Sequence, residues 1–431
     1  MSAMHLNLDL HSHSGYAGGV GNTSFDAIEG NMPLKGIDIV GTGDCLHPTW
    51  YEMLRSTLHE SSTGLFSVTD DSPISYVLQT EIIITADIGD RRKGVHNVIL
   101  FPSFESVDAT RSLLEGWGVK NTVGRPFLCC EGPDDVARKL SAIRGVDDMI
   151  EFVPAHVMTP EGVFGSKAPV DSLCDFYGDA TDLMSMVETG LSADPQILAM
   201  VPELDRMTLI SNSDAHSPAL HRMGREFTTV DARRSYESII TGLCRGHVVH
   251  TAEFNPSEGR YFLTGHRAGR KGHTQGEYCI FSPRHTPTDG ICPICGKRLT
   301  VGVLERAGYL SRAQGEERTL DSVRPSTQFV HMVPLVEIIA HNHGISSVSS
   351  KKVLSSYHMV TSICNECDLW FESESTVRRV LAGIVPDSLL DDIIQVKRGN
   401  FTFTPAGYDG EYGALTIGVQ GDVEDVSIVH R

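Results

Sequence analysis

No run of about eighteen apolar residues occurs in the 431-residue chain, which argues against a membrane-spanning helix. The first residues, MSAMHLNLDLHSHS, lack the basic start and apolar stretch of a secretory signal, so a cytoplasmic location is expected. Cysteine is scarce, with ten residues, too few for a disulfide framework on a chain this long. In a reducing compartment, cysteines close together point to metal. Positive charge is in deficit: 36 Lys and Arg stand against 55 Asp and Glu, a formal net charge of −19. That excludes indiscriminate nucleic-acid binding by the chain as a whole. Internal repeats and low-complexity linkers are also missing. What the chain has in quantity is histidine, 19 residues, several beside Asp or Glu in short clusters.

The length predicts two or three domains. Across residues 1–250, β-rich runs alternate with amphipathic stretches such as Asp134–Ile143 and Pro195–Met200. Seven strands are expected: His5–Leu10, Ile37–Thr42, Tyr76–Thr85, His96–Phe101, Glu151–Pro154, Leu183–Glu188 and Thr208–Asn212. Strands alternating with helices favour an α/β domain, and seven strands suffice for a distorted barrel. Residues 251–298 are rich in Gly, Pro, His and Cys and read as a small zinc-binding module. Residues 299–431 read as a mainly helical domain, with helices at Val333–His343, Ser350–Phe371 and Thr376–Leu381. Phe401–Val419 alternates around Tyr408-Asp409-Gly410, which predicts a terminal hairpin.

Chemistry-bearing residues gather where the strands end. The first strand runs into His11-Ser12-His13, and strand alternation sends both histidines to one side. Later ends offer Asp44 and His47, Glu81, His96, His156, and Asp214 with His216. Barrel sites are assembled from several strand ends in this way. Imidazole with carboxylate suits zinc, manganese or iron. The set is too large for one ion and fits two or three divalent cations, Zn, Mn, Fe or Mg, with Glu81 bridging two. Glu188, closing the strand in VETG, reads as a catalytic residue, either substrate-facing or orienting a ligand, against the plainer reading of a helix cap.

The ordered segments DLHSHS (9–14), GTGDCLHP (41–48), TEI (80–82), VHN (95–97), PAH (154–156) and SDAH (213–216) resemble the PHP metallohydrolase family. Further segments extend the likeness: VETGLSADP (187–195), EGRYFLTG (258–265), CPICGKRLTVGVLERA (292–307), VPLVEIIA (333–340) and PAGYDGEYG (405–413). Together they are similar to the endonuclease Q family over nearly the whole chain. The resemblance implies a distorted (β/α)7 barrel with a cluster of metal ions. It also implies a DNA repair endonuclease that cuts on the 5′ side of uracil, hypoxanthine or an abasic site. Carried over by residue, His11, His13, Glu81 and Asp214 hold one ion, and Glu81, His96 and His156 a second. His216 helps hold a third, with Asp44 or His47. Here the sequence departs from the pattern: Asp44 is followed by Cys45 rather than histidine, and Ser14–Gly21 contains no histidine. Asp214 is the expected catalytic carboxylate as well as a ligand.

Cys292-Pro-Ile-Cys295-Gly has the spacing of a zinc knuckle. His273 and Cys279 are the favoured partners for one structural zinc, with His266 and His285 as competitors. Cys364 and Cys367 form a rival pair, though inside an expected helix they read more simply as packed thiols. Residues 260–312 carry nine Lys and Arg against three Asp and Glu, so DNA contacts are placed there. Arg267, Arg270 and Lys271 are expected to meet phosphates. Tyr408 is expected to stack or wedge, against the reading of a turn-packing tyrosine. The C-terminus, Val426–Arg431, carries no clear sliding-clamp peptide. Two other functions account for parts of the pattern. A small-molecule phosphoesterase leaves the cysteine knuckle unexplained, and a non-catalytic DNA-binding protein needs neither Glu81 nor Asp214.

Overall fold

A computed structural model of the chain describes residues 4–17, 23–419 and 425–430. All seven expected strands are present: β1 Met4–Asp9, β2 Ile39–Gly41, β3 Ser75–Ile88, β4 Arg91–Phe101, β5 Glu151–Pro154, β6 Met186–Glu188 and β7 Thr208–Ile210. β1, β2 and β3 pair in parallel. β3 and β4 form a long antiparallel hairpin, and β5 adds antiparallel to β4. β6 and β7 pair in parallel, and a bridge between Ser12 and Ala215 returns the ring to the end of β1. The reversal at β4 is what distorts this barrel from an all-parallel one.

The strand residues explain the pairing. Leu6, Leu8 and Leu10 alternate with polar neighbours and are buried, so one face of β1 joins an apolar layer with Ile39, Val77 and Val153. β3 is buried over most of its length, as expected for a strand covered on both faces. The hairpin register places Glu81 opposite Val98 and Ile83 opposite His96. Glu81 and His96 are therefore diagonal neighbours, within reach of each other.

Beyond the barrel, Phe227–Ala232 lies antiparallel against β1, Val248–Glu253 pairs with it, and Phe329–His331 adds in parallel. The sheet thus continues into residues that follow the cysteine-rich stretch. Thr264–His266, Tyr278–Phe281 and Ser427–His430 make a separate three-stranded sheet, so the end of the described chain returns to the zinc module. The expected terminal hairpin pairs Phe401–Phe403 with Leu415–Ile417.

The expected helix over Ser350–Phe371 is two helices, Lys351–Thr361 and Glu366–Phe371. The side chain of Asn365 accepts from the Asp368 amide and starts the second, a capping preference that outweighs the continuous apolar period. The same C-terminal region also holds the helices Val303–Ala313 and Asp387–Lys397, which were not foreseen. The helical region docks on the barrel through a fully buried ion pair, Lys35 Nζ to Glu366 Oε1 at 3.0 Å. Lys35 also donates to the Leu220 carbonyl (3.0 Å), which steadies the loop following Asp214. Removing either partner alone would strand a buried charge, a loss of about 3–5 kcal/mol. Among the described residues, no helix is long and apolar enough to cross a membrane.

Candidate metal centre

The structure gathers six of the expected residues into two groups, His11, His13 and Asp214, and Glu81, His96 and His156, with Glu81 and His96 inside β3 and β4 and not at a strand end. Within each group the ligand atoms lie within 4.8 Å of one another. Glu81 connects the groups. One of its oxygens lies 2.6 Å from His96 Nδ1 and 3.4 Å from His156 Nε2; the other lies 3.4 Å from His13 Nε2. Asp214 Oδ1 stands 3.6 Å from His11 Nε2 and 3.2 Å from His13 Nε2.

Three of these histidines are oriented by a partner on the opposite ring nitrogen. Nδ1 of His11 meets Glu188 Oε1 at 3.0 Å, Nδ1 of His13 meets Asp44 at 3.1 Å, and Nδ1 of His156 meets Thr159 Oγ1 at 2.6 Å. A carboxylate only accepts, so Nδ1 of His11 and His13 carries the proton and the Nε2 lone pair faces the centre. His11 Nε2, His13 Nε2, both Glu81 oxygens and His96 Nδ1 are buried without a hydrogen-bond partner. Buried polar atoms are rarely left so. Their convergence, and the mixture of imidazole and carboxylate, fits divalent cations.

The backbone takes an uncommon shape here. Asp44, His156 and Asp214 all have positive φ, at 43°, 32° and 47°. Non-glycine residues rarely adopt it, and such strain concentrates at functional sites. Gly190 packs so close to His156 that a Cβ there would sit 2.4 Å from the His156 Cβ. The VETG segment therefore needs glycine next to the centre.

Electrostatics follow from the crowding. Burial opposes protonation of His11 and His13, yet the surrounding Glu188, Asp214, Asp44 and Glu81 outweigh it and raise their pKa values to about 9 and about 10. Burial likewise opposes ionisation of Glu81 and Asp214, but the neighbouring histidines hold both below the usual carboxylate range. Cations must then displace protons from His11 and His13. Because both values lie above the ordinary 6.5, cation affinity should climb as pH rises toward 9–10, with proton release at pH 7. In the cation-free protein, the stability carried by these raised values is complete below about 6.5 and lost as pH passes through 9 to 10. Calorimetry in buffers of differing ionisation enthalpy measures the release; its absence at pH 7 would refute this account.

Four expected site residues lie outside both groups. Asp44 is directed at His13 and Ser14, accepting from Ser14 N at 2.7 Å and Ser14 Oγ at 2.6 Å. His47 caps the helix Pro48–Thr57, accepting from Trp50 N, and stacks on Tyr16. His216 stacks on His13 with its Nε2 3.7 Å from Asp214, outside both groups. Glu188 is fully buried and engaged by His11, by His156 N (2.8 Å) and by Asn212 Nδ2 (2.9 Å). Its carboxylate is thus taken up by these three groups. Glu188→Gln should lower activity or cation affinity about 10–100-fold by loosening His11. Metal titration alongside kcat tests this, and wild-type values for both would refute it.

At the zinc module, His266, His273, Cys292 and Cys295 place their ligand atoms within 4.8 Å of one another. This group has His266 where Cys279 was expected. Cys279 Sγ lies beside the group, 3.6 Å from Cys292 Sγ. Burial opposes ionisation of Cys292, yet the backbone N–H groups of Cys295 and Ile294 and the His273 ring outweigh it, bringing it to about 7. Cys367 packs against Asn7 on the barrel, far in the fold from this group.

The expected DNA contacts are redistributed. Arg267 N donates to Asp409, and its guanidinium lies 3.5 Å from Glu411. Arg270 is paired with Asp409 and donates to Thr300 Oγ1. These two arginines tie the module to the 408–411 turn, so their charge is already met. Lys271 is exposed, and its carbonyl accepts from Lys297 Nζ. Tyr408 is 6% exposed and packed in the turn, while Tyr412 is 47% exposed.

A cleft of about 530 Å³ opens over the centre. His96, His156, Asp214 and His216 line its floor, and Arg125, Arg222, Arg225, Arg260, Tyr261 and Tyr412 its walls. Arg260 donates from Nε to Gly410 O (2.8 Å) and lies over Tyr412, 5.4 Å from the ring centroid. Arg260 stood inside the basic window and Tyr412 inside PAGYDGEYG, where Tyr408 was singled out instead; Arg125 and Arg222 carry no local motif.

Two solved structures are similar to the chain over nearly all of it. The lesion-specific endonuclease PfuEndoQ of Pyrococcus furiosus shares 27% identity, with 98% of both chains covered and a TM-score of 0.77. Endonuclease Q in complex with a 27-mer duplex carrying an abasic lesion at its active site shares 27% identity, with 98% of this chain and 100% of that chain covered and a TM-score of 0.78. The chain has the endonuclease Q architecture. That likeness takes in the barrel, the zinc module and the helical region together, as the sequence resemblance implied. No family model matches the sequence. Among curated proteins, the uncharacterised protein YqxK of Bacillus subtilis is 23% identical over 390 residues, 88% of this chain and 89% of that protein. The uncharacterised protein MJ0043 of Methanocaldococcus jannaschii is 29% identical over 253 residues, 57% of this chain, and the matched stretch spans 30% of that protein's length.

Proposed function

We propose that the protein is a metal-dependent, lesion-specific DNA endonuclease that hydrolyses the phosphodiester 5′ to an abasic site, uracil or hypoxanthine. The observation that carries this reading is the set of buried, unpartnered imidazole and carboxylate atoms beneath an arginine-lined cleft, in a chain similar throughout to endonuclease Q bound to a lesion duplex.

In this reading His11, His13 and Asp214 hold one divalent cation and Glu81, His96 and His156 a second, with Glu81 reaching both. When bound, such cations supply Lewis acidity and lower the pKa of a coordinated water from about 15.7 towards 7. The chain's own side chains do the rest. Glu188, Asp44 and Thr159 fix the imidazole orientations. Arg222 and Arg260 meet the backbone phosphates at the cleft. Tyr412 offers a stacking surface to a base leaving the duplex, a displacement that costs a few kcal/mol and least at a damaged or mispaired site. Burial lowers the His216 pKa to about 4, so its ring is neutral at pH 7 and offers a lone pair toward the cleft. His266, His273, Cys292 and Cys295 hold a structural zinc.

One assay tests the reading. The cation-loaded protein is incubated with labelled duplexes bearing an abasic site, uracil, hypoxanthine or no lesion, beside a phosphomonoester. Nicks 5′ to the lesion are expected, with none in the intact duplex. Phosphate release without nicking would establish a small-molecule phosphoesterase instead, and binding without either product would remove the enzyme reading.

A further inference from the structure

We propose that Arg125 is a catalytic residue that binds the scissile phosphate jointly with the cations. This rests on the nuclease reading and adds a residue to it.

Arg125 Nη1 lies 3.7 Å from Glu81 Oε2, the oxygen that also faces His13. Its side chain is 29% exposed and lines the cleft beside His96, His156 and Asp214. It makes no hydrogen bond within the described chain, whereas Arg225 and Arg260 are engaged. Arg225 donates to the Ser213 carbonyl from two nitrogens and lies over Phe254. Arg260 is pinned to Gly410. Arg125 therefore holds unused donors at the place where substrate must come.

The loop that carries Arg125 is built to sit there. Gly124 lies so close to Ala17 and Asp44 that a Cβ would stand 2.8 Å from the Ala17 backbone and the Asp44 carboxyl carbon. Gly124 N donates to Tyr16 O (3.3 Å), and the next residue, Pro126, accepts from Ile83 N (3.0 Å), two residues from Glu81. The turn is thus tied on both sides to segments that hold ligands.

Charge decides what Arg125 can do there. A guanidinium stays protonated at every relevant pH. Beside a carboxylate shared by cations it is repelled by them unless an anion lies between. A phosphodiester supplies that anion, and the planar fork of Arg matches two of its oxygens. Negative charge grows on those oxygens as water adds and the sugar oxygen leaves, so the contact strengthens toward the transition state. The effect should fall on kcat more than on KM.

Arg125→Ala and Arg125→Lys are compared with the wild-type holoprotein on an abasic duplex, with cation content and thermal melting measured in parallel. For Arg125→Ala, kcat should fall at least about 100-fold, KM should move no more than about threefold, and cation content should stay at the wild-type level. Added guanidinium ion should restore part of the rate, which a structural role would not allow. Arg125→Lys should remain well below wild type, because an ammonium lacks the fork. Orthophosphate binding to the cation-loaded protein, read by calorimetry, should weaken about tenfold in Arg125→Ala. Wild-type kcat, unchanged orthophosphate binding or loss of cations in Arg125→Ala would each overturn the proposal. If the wild-type protein itself fails to nick, the nuclease reading falls and takes this proposal with it.

Discussion

Asp214→Asn should abolish cleavage while leaving the protein folded. Asp214 Oδ1 is the carboxylate oxygen nearest both His11 and His13 in the first ligand group. An amide there is neutral and a poor ligand, so a cation would be lost or displaced. Removing a Lewis acid forfeits several kcal/mol of transition-state stabilisation, and kcat should drop by about 1000-fold or more. Asparagine is the substitution of choice because Asp214 has a φ of 47°, which Asn tolerates better than any other side-chain-bearing residue. The fold should survive, since the loop is also held by Asp9, which accepts from Ser213 N (2.9 Å) and Gly224 N (2.8 Å), and by Lys35. Product formation from a lesion duplex, cation content and circular dichroism check the three claims. Wild-type cleavage by a folded, cation-depleted variant would remove the metal mechanism.

Cys292→Ser should release one zinc and unfold the module around it. Cys292 is 1% exposed, 3.2 Å from His273 Nε2, and held near neutrality by backbone N–H groups. The small sheet beside it adds only a few buried apolar residues, namely Cys279, Phe281 and Leu299. A core of that size does not hold itself together without a metal, whose binding is worth on the order of 10 kcal/mol in small zinc domains. The barrel should stay folded, because its core lies elsewhere. Cleavage should nonetheless fall, since Arg267 and Arg270 anchor the turn that leads to Tyr412. Cys279→Ser and Cys367→Ser should both keep the zinc. Loss of the equivalent in Cys279→Ser would return Cys279 to the ligand set in place of His266. Metal analysis and limited proteolysis report these outcomes.

The ligand positions were readable because they obey local rules. Strand alternation turns His11 and His13 to one side, and β2, β5 and β7 end within a few residues of Asp44, His156 and Asp214, whereas Glu81 and His96 lie inside the long hairpin of β3 and β4. The same rules identified the seven strands and the terminal hairpin. Roles within the site were not readable, because they depend on where distant segments meet. Glu188 lies 177 residues from His11 in sequence, yet it is the partner that orients that ring. Asp44 and His47 both follow β2, but a positive φ at Asp44 directs its carboxylate to His13, and His47 begins a helix. His266 reaches the module's ligand group because Thr264–His266 pairs with Tyr278–Phe281, a contact that sets it directly opposite Cys279.

Residue types and their periods thus settle which chemistry the chain carries, since alternation and capping act over two to four residues. Which side chain touches a cation, which one steadies it and which faces the cleft follows from contacts across a hundred residues or more. Arg125 and Tyr412 make the distinction concrete. In the chain they are 287 positions apart, and the fold alone sets them on the walls of one cleft.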